Sequence, residues 1–236
     1  MVLRESYFTA HHLFIVMPLL SDGTLESYID KSAVAMSKKS RSILAQIAFG
    51  IWELHQRGVL HRDVRAANMM MLDPVGDNVT VIDYNWAEFG CRAKRGGACC
   101  QAACLAHLVG KQAYRAWSAT VKAPHSYEVD WWSFGVLVHK IALGTFPFGE
   151  NGFGKKGFRA ADPPRVLNTS GLDQALASIL DATIGAGSES LNSTEARVAL
   201  ESPLPEVHPI LSNDFWLTGV KFAPEARAQA LRDYWS

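Results

Sequence analysis

Apolar positions along the chain repeat with two different periods. From Ser40 to Gln56, residues Ile43, Leu44, Ile47, Ile51 and Leu54 fall at three- and four-residue steps, which predicts an amphipathic helix ended by Gly58. Asp130 to Leu143 is apolar almost throughout and predicts a helix buried on nearly every side. Ser170 to Ile184 and Ser193 to Leu200 read as helices with serine N-caps, and Pro224 opens a helix to Trp235. Shorter runs read as strands. Leu13 to Met17 is expected to be a short buried strand, bounded by Pro18 and the Ser21-Asp22-Gly23 turn, with a short helix beginning over Thr24 to Ile29. Val59 to Asp63 is short and apolar and runs into a charged turn, while Met69 to Leu72 and Val79 to Ile82 flank the Asp73-to-Asp77 turn as two small strands. Asn85 to Gly110 reads as irregular and residues 149 to 169 as loop. The expectation is an α+β fold, mainly a helical lobe with a small strand element attached.

Composition narrows this picture. Apolar residues are 48% of the 236, including 7 Trp and 11 Phe, which is ample for a core and excludes an intrinsically disordered chain. The 23 basic and 23 acidic residues balance, so charge gives no reason to expect a nucleic acid or a membrane surface as partner. No apolar run is long enough to span a bilayer as a helix. Leu13 to Leu20 could pass for a signal-peptide core, but Glu5, His11 and His12 precede it, Pro18 interrupts it and no small-x-small cleavage site follows. A soluble intracellular protein is expected. The 4 cysteines, Cys91, Cys99, Cys100 and Cys104, are too sparse for a disulfide scaffold and poorly spaced for zinc. Arg92, Lys94 and Arg95 nearby are compatible with a redox role, and an insertion without chemistry of its own is the plainer reading.

Candidate chemistry gathers between residues 61 and 83. His61-Arg62-Asp63 follows the end of a helix, Asn68 lies five residues beyond Asp63, and Asp83 follows a strand. Oxygen side chains on turns after short strands suit a hard divalent cation. They also suit phosphoryl transfer, in which one carboxylate orients the attacking hydroxyl while an Asp and an Asn hold magnesium against the phosphates. Any one of them alone is equally a solvated loop carboxylate or an Asx turn.

Taken in order, these residues resemble the eukaryotic protein kinase family. His61 to Asn68 (HRDVRAAN) matches the catalytic-loop motif H-R-D-L-x-x-x-N with Val for Leu. Val79 to Asn85 (VTVIDYN) resembles the strand leading into D-F-G, with Tyr84 for Phe and Asn85 for Gly. Tyr127 to Leu143 with Gly144 to Phe148 resembles the family's central helix and its G-x-x-P-F turn, and Leu13 to Gly23 resembles the last N-lobe strand and interlobe hinge. The resemblance covers about residues 2 to 204 and implies residual N-lobe strands and hinge over 1–20, a kinase-like C-lobe over 21–204 and a C-terminal tail with a helix over 205–236. It implies Asp63 as catalytic base, Arg65 beside the transferring phosphate, and Asn68 and Asp83 as magnesium ligands. It implies His61 and Tyr84 in the internal spine and Asp130 holding the catalytic-loop backbone. Met17 would guard the adenine pocket, with Pro18 and Leu20 facing the adenine edge and Met70 beneath the ring, where a methionine equally suits plain core. ATP, magnesium and a protein substrate are the implied ligands.

The chain also departs from the family pattern. Its one G-x-G-x-x-G spacing, Gly152 to Gly157 within the glycine-rich Gly149 to Gly157, lies in the helical half, where no following pattern supports a phosphate cradle. Neither the glycine-rich loop nor the strand Lys of the phosphate clamp is found, so weak or absent transfer by this chain alone is expected. Gly110 to Ser118 (GKQAYRAWS) aligns with G-T-x-x-Y-x-A-P-E, with Trp117 for Pro and Ser118 for Glu, and Leu191 to Ser193 offers no Arg for that missing Glu. Between Asp83 and Ser118 there is no Ser or Thr, only Tyr84 and Tyr114. Arg62, which in the family receives a phosphate from this segment, must have another partner, and activation is expected to be constitutive or to have another trigger. A Ser/Thr protein kinase is favoured. A pseudokinase or scaffold is the alternative, and a small-molecule phosphotransferase on the same fold ranks last.

Overall fold

The computed structural model describes residues 4–31, 38–72, 78–89, 109–116, 119, 127–152, 167, 169, 171–185 and 209–217. Two helices form its centre. Helix α2 (Lys38–Gln56, following the short α1, Leu25–Lys31) turns Ile43, Leu44, Ile47, Ala48 and Ile51 inward. Helix α3 (Glu128–Leu143) has 12 buried residues among its 16, because neighbours pack on it from several sides. Helix α4 (Gln174–Ile184) crosses α3 at Gly135, where an added Cβ would stand 2.2 Å from Thr183 Oγ1 and 2.6 Å from Thr183 Cβ. Only a residue without a side chain allows so close a crossing. The Thr183 hydroxyl is satisfied within its own helix, donating to Ile179 O at 2.7 Å.

Among the described residues the strands come in three separate antiparallel pairs. β1 (Glu5–Phe8) pairs with β2 (Leu13–Val16), β3 (Val59–Leu60) with β6 (Glu88–Phe89), and β4 (Met69–Met71) with β5 (Val79–Val81). In the last pair Met69 faces Val81 and Met71 faces Val79, which aims four apolar side chains at the core beside α2. The Val79 amide is also taken up by Gln46 Oε1 of α2 at 3.3 Å.

Several expectations change here. The strand at residue 13 exists, but it is exposed rather than buried, as is β1. It belongs to a two-stranded ribbon with no second layer on it among the described residues. The segment after Asn85 is not wholly irregular, since Glu88–Phe89 forms β6, a strand too short to show a period. The helix expected from Ser170 begins at Gln174, capped by Asp173, whose Oδ1 accepts from the amides of Ala175 and Leu176 at 3.2 Å each. Residues 209–217 form two 3₁₀ turns whose Ile210, Leu211, Phe215 and Trp216 are buried in the same core. The helices expected over 193–200 and 224–235, the four cysteines, and Trp117 and Ser118 lie outside the described residues. No helix among the described residues is long and apolar enough to cross a membrane.

Candidate active site

The site is built outward from Asp130, in the first turn of α3, where the positive end of the helix dipole favours a carboxylate. The side chain is fully buried and accepts three hydrogen bonds. Oδ2 takes His55 Nε2 at 2.9 Å and the His61 amide at 2.8 Å, and Oδ1 takes the Arg62 amide at 2.8 Å. Burial alone would raise the carboxyl pKa. The bond and charge of His55 and the bond from the His61 amide outweigh it and hold Asp130 below its ordinary value. His55, at the end of α2, is fixed in turn by the rings of Tyr127 and Trp131, at 4.4 and 5.6 Å between centroids.

With both amides tied down, the backbone takes a left-handed turn at Arg62, φ +68°. A non-glycine residue pays roughly 1–2 kcal/mol for that conformation, so it persists only where surrounding bonds impose it. The turn delivers Asp63 to a buried position. Asn68 Nδ2 donates to Asp63 Oδ2 at 2.7 Å and to Asp63 O at 2.9 Å, closing the loop on itself. Arg65 Nε stands 3.3 Å from Oδ2 as an ionic contact without hydrogen-bond alignment. The Lys111 amide approaches Oδ1 at 3.3 Å. This last approach requires Gly110, whose φ is +79° and whose added Cβ would meet Arg62 O at 2.9 Å and Asp63 Oδ1 at 3.2 Å.

His61 joins this loop to Asp83. Its Nδ1 accepts from the Asp63 amide at 3.3 Å and its Nε2 donates to Ile82 O at 3.1 Å, so both ring nitrogens are committed. The Ile82 amide returns to Asn68 O at 2.9 Å. Asp83 follows with φ +64°, its Oδ1 accepting from the Asn85 amide at 3.4 Å, and Tyr84 packs its ring on His61 at 5.1 Å.

The structure therefore brings His61, Arg62, Asp63, Arg65, Asn68, Asp83, Tyr84 and Asp130 into one connected set. Met17, Pro18, Leu20 and Met70 lie on the elements next to it. Met17 is exposed after β2, and Pro18 and Leu20 are half-buried on the way to α1. Met70 lies half-buried in β4, which is tied to the same stretch by a bridge from Thr24 to Met70 and by the Met71 amide donating to Gly23 O at 3.1 Å.

Three contributors escaped the sequence reading. His55 looks like any residue in the last turn of a helix. Glu88, from β6, pairs with Arg62 Nη1 at 3.6 Å. Arg115 donates to Val109 O at 2.9 Å and Gly110 O at 2.7 Å, holding the turn over Asp63, and burial lowers its pKa against the opposing charge of Asp63. His55 and Glu88 act across long sequence separations, while Arg115 reaches carbonyls only five and six residues back and gains its role from the turn that lies over Asp63. Tyr114 is buried edge-on to Phe146. Burial, aided by Glu26 and Glu150 and only partly offset by Ala66 and Arg65, pushes its phenol well above the ordinary range.

Residues 1–175 match the family description "Protein kinase domain", which covers more than half of the chain. The chain belongs to the protein kinase family. Its kinase domain is 27% identical over 146 residues to a probable myosin light chain kinase of Dictyostelium discoideum, covering 62% of this chain and 44% of that protein. It is 30% identical over 141 residues to a putative protein kinase C delta type homolog of Drosophila melanogaster, covering 59% and 19% respectively. It is 24% identical over 224 residues to a serine/threonine-protein kinase H1 homolog of Danio rerio, covering 90% and 51%. The chain thus spans about half or less of the length of these relatives.

The donors present fit a magnesium ion. Asn68 commits its amide nitrogen to Asp63, which turns Oδ1 the other way, and Asp83 offers a carboxylate from the adjoining turn. Both are hard oxygen ligands of the kind magnesium takes. Among the described residues no cluster of three His, Cys, Asp or Glu forms a competing metal site.

Proposed function

We propose that this kinase domain transfers the γ-phosphoryl group of ATP to a serine or threonine hydroxyl of a protein. The observation that carries the reading is the environment of Asp63. Its carboxylate is presented from a loop clamped by Asp130, with Oδ2 bonded to Asn68 at 2.7 Å and Oδ1 facing the Lys111 amide at 3.3 Å. A carboxylate so fixed can orient an acceptor hydroxyl and receive its proton as the oxygen attacks phosphorus. Arg65, beside Asp63, places a cation where charge develops on the transferring group. Asn68 and Asp83 would hold magnesium, and bound Mg·ATP supplies the phosphoryl group together with neutralisation of its charge. The serine/threonine preference is supported by the Gly110-to-Ala116 pattern and by the likeness to the Danio rerio serine/threonine-protein kinase H1 homolog.

A second reading, a pseudokinase or scaffold, is favoured by a different observation. The one G-x-G-x-x-G spacing, Gly152 to Gly157, follows α3 rather than preceding β2, and Tyr84-Asn85 stands in place of Phe-Gly. Magnesium-dependent nucleotide binding, followed by transfer to a serine peptide, separates the two. The catalytic reading expects binding that needs magnesium, and an Asp63→Asn variant that still binds but transfers at least about a hundredfold more slowly. Binding without magnesium dependence, or none, favours the scaffold.

A further inference from the structure

The turn that meets Asp63 runs outward onto a cationic and aromatic surface. The Lys111 amide stands 3.3 Å from Asp63 Oδ1, so the Lys111 side chain starts beside the carboxylate that faces the acceptor. Its ammonium lies 3.4 Å from Glu26 Oε1 of α1 and 5.8 Å from the centre of the Phe146 ring. Lys140, in the last turn of α3, places a second ammonium 4.7 Å from the same ring centre. Phe146 is half-buried and set edge-on to Tyr114, at 5.2 Å. Tyr114 is itself buried three residues beyond Lys111, so the ring that carries both lysines is anchored to the turn over Asp63.

The charges on this surface do not cancel. Lys111 has Glu26, but the two side chains are 39% and 41% exposed, and an ion pair so open to water is weak and readily exchanged. Glu150 brings a further negative charge near Tyr114, while Arg65 is taken up by Asp63. Lys140 has the ring and the Gly144 carbonyl, which it meets at 3.0 Å, and no carboxylate among the described residues pairs with it. Its bond to Gly144 O uses one of three ammonium protons and leaves the others for a ligand. A carboxylate arriving here gains Lys140 outright and competes with Glu26 for Lys111, while the methylene groups that carry it pack on Phe146.

We infer that Lys111, Phe146 and Lys140 form a specificity surface that receives an acidic side chain of the acceptor peptide, so that the substrate class is a hydroxyl residue within an acidic segment. An extended peptide advances about 3.3–3.6 Å per residue, which places the acidic residue within a few positions of the acceptor. The inference deepens the kinase reading and rests on it for the hydroxyl at Asp63, but the recognition of acid can be measured without transfer.

The test uses the full chain, Mg·ATP and four peptides of one length with a central serine. One carries glutamates before the serine, one glutamates after it, one alanines and one lysines on both sides. For at least one glutamate peptide, kcat/KM is expected to exceed that of the alanine peptide about fivefold, with the lysine peptide poorest. The preference should shrink as salt rises from about 0.05 to 0.3 M. Lys140→Glu is expected to reverse it toward lysine, Lys140→Arg to keep it, and Lys111→Ala to reduce it about twofold. A lysine that merely packs on Phe146 would change all four peptides alike. No preference for either glutamate peptide, or a preference that survives Lys140→Glu, would overturn the inference. So would a wild type that favours the lysine peptide, which would give the surface to Glu26 and Glu150. Binding is read separately by fluorescence anisotropy, with alanine in place of the central serine. A wild type that phosphorylates none of the peptides defeats the kinase reading. The anisotropy then still decides the surface: tighter binding of a glutamate peptide that is lost in Lys140→Glu upholds it, and equal binding of all four peptides overturns it.

Discussion

The β1–β2 ribbon and the loop around Asp130 invert the usual relation between chemistry and burial. Six of the ribbon's eight strand residues are apolar, yet all eight positions are exposed, with Phe8 at 78% and Ile15 at 53%. The Asp130 loop is made of charged and polar residues, yet His61 and Asp130 are at 0%. What separates them is partners. The Asp130 carboxylate, the His61 and Arg62 amides and the Asn68 amide group find partners within about 3 Å, whereas among the described residues the ribbon is held by its own cross-strand pairs, such as the stacked rings of Tyr7 and Phe14. Structural precision here follows the hydrogen bonds rather than the hydrophobicity of the sequence.

The comparison is broken most severely by removing Asp130. Asp130→Ala strands the amides of His61 and Arg62 and leaves His55 without its carboxylate. The expected loss is about 3–5 kcal/mol of unfolding free energy by chemical denaturation. The effect carries a pH signature. Because the folded-state pKa of Asp130 lies below its ordinary value, its contribution is fully present above the ordinary carboxylate range, about 4, and fades as pH falls through the lower folded value. The stability gap between wild type and Asp130→Asn should therefore be constant from neutral pH down to about 5 and shrink below about 4. A gap that widens on acidification would show that the carboxylate is not the stabilising form.

Next in size is the crossing of α3 and α4 beneath the loop. Gly135→Ala drives a methyl into Thr183 and Ile184, whose nearest atoms would lie 2.2 to 2.7 Å away. Separating the helices should cost about 3 kcal/mol, read as a lower denaturation midpoint with an unchanged slope. A neutral result would mean that the helices slide apart at little expense.

These two sites show what a sequence does and does not display. Helices α2 and α3 are legible because their apolar period is local, and so is the pairing of β4 with β5 across a short turn. Asp63 and Asn68 also sit within one loop, at a spacing the chain shows directly. The need for glycine at position 135 is invisible, since it arises from Thr183 on another helix. The same holds for His55 and Glu88, whose partners are 75 and 26 residues away. The apolar run Leu13–Val16 displays a strand, but whether a second layer covers it is decided by other parts of a structure.

A smaller effect tests how closely the loop is held from above. Gly110→Ala meets a left-handed backbone and the carbonyl of Arg62 together. It should cost about 1–2 kcal/mol of stability. On the kinase reading, it should also depress kcat more than KM for the peptide, because the Lys111 amide is pushed off Asp63. Equal changes in both would place the damage in substrate binding instead.

The smallest expected effect is the sharpest test of the comparison itself. Ile15→Ser and Phe8→Ser change exposed side chains of the ribbon, so each should alter unfolding free energy by no more than about 0.5 kcal/mol. The same substitution at a covered position would remove the transfer energy of a buried side chain, about 1.5–3 kcal/mol. The two ranges do not overlap, so a single denaturation curve decides between them. A loss in the upper range would mean that the ribbon has an apolar cover in the protein, and its eight strand residues would then belong with the core rather than opposite it. A small loss would leave the ribbon as a place where apolar residues meet water, with the order of the site owed to Asp130 and the groups it holds.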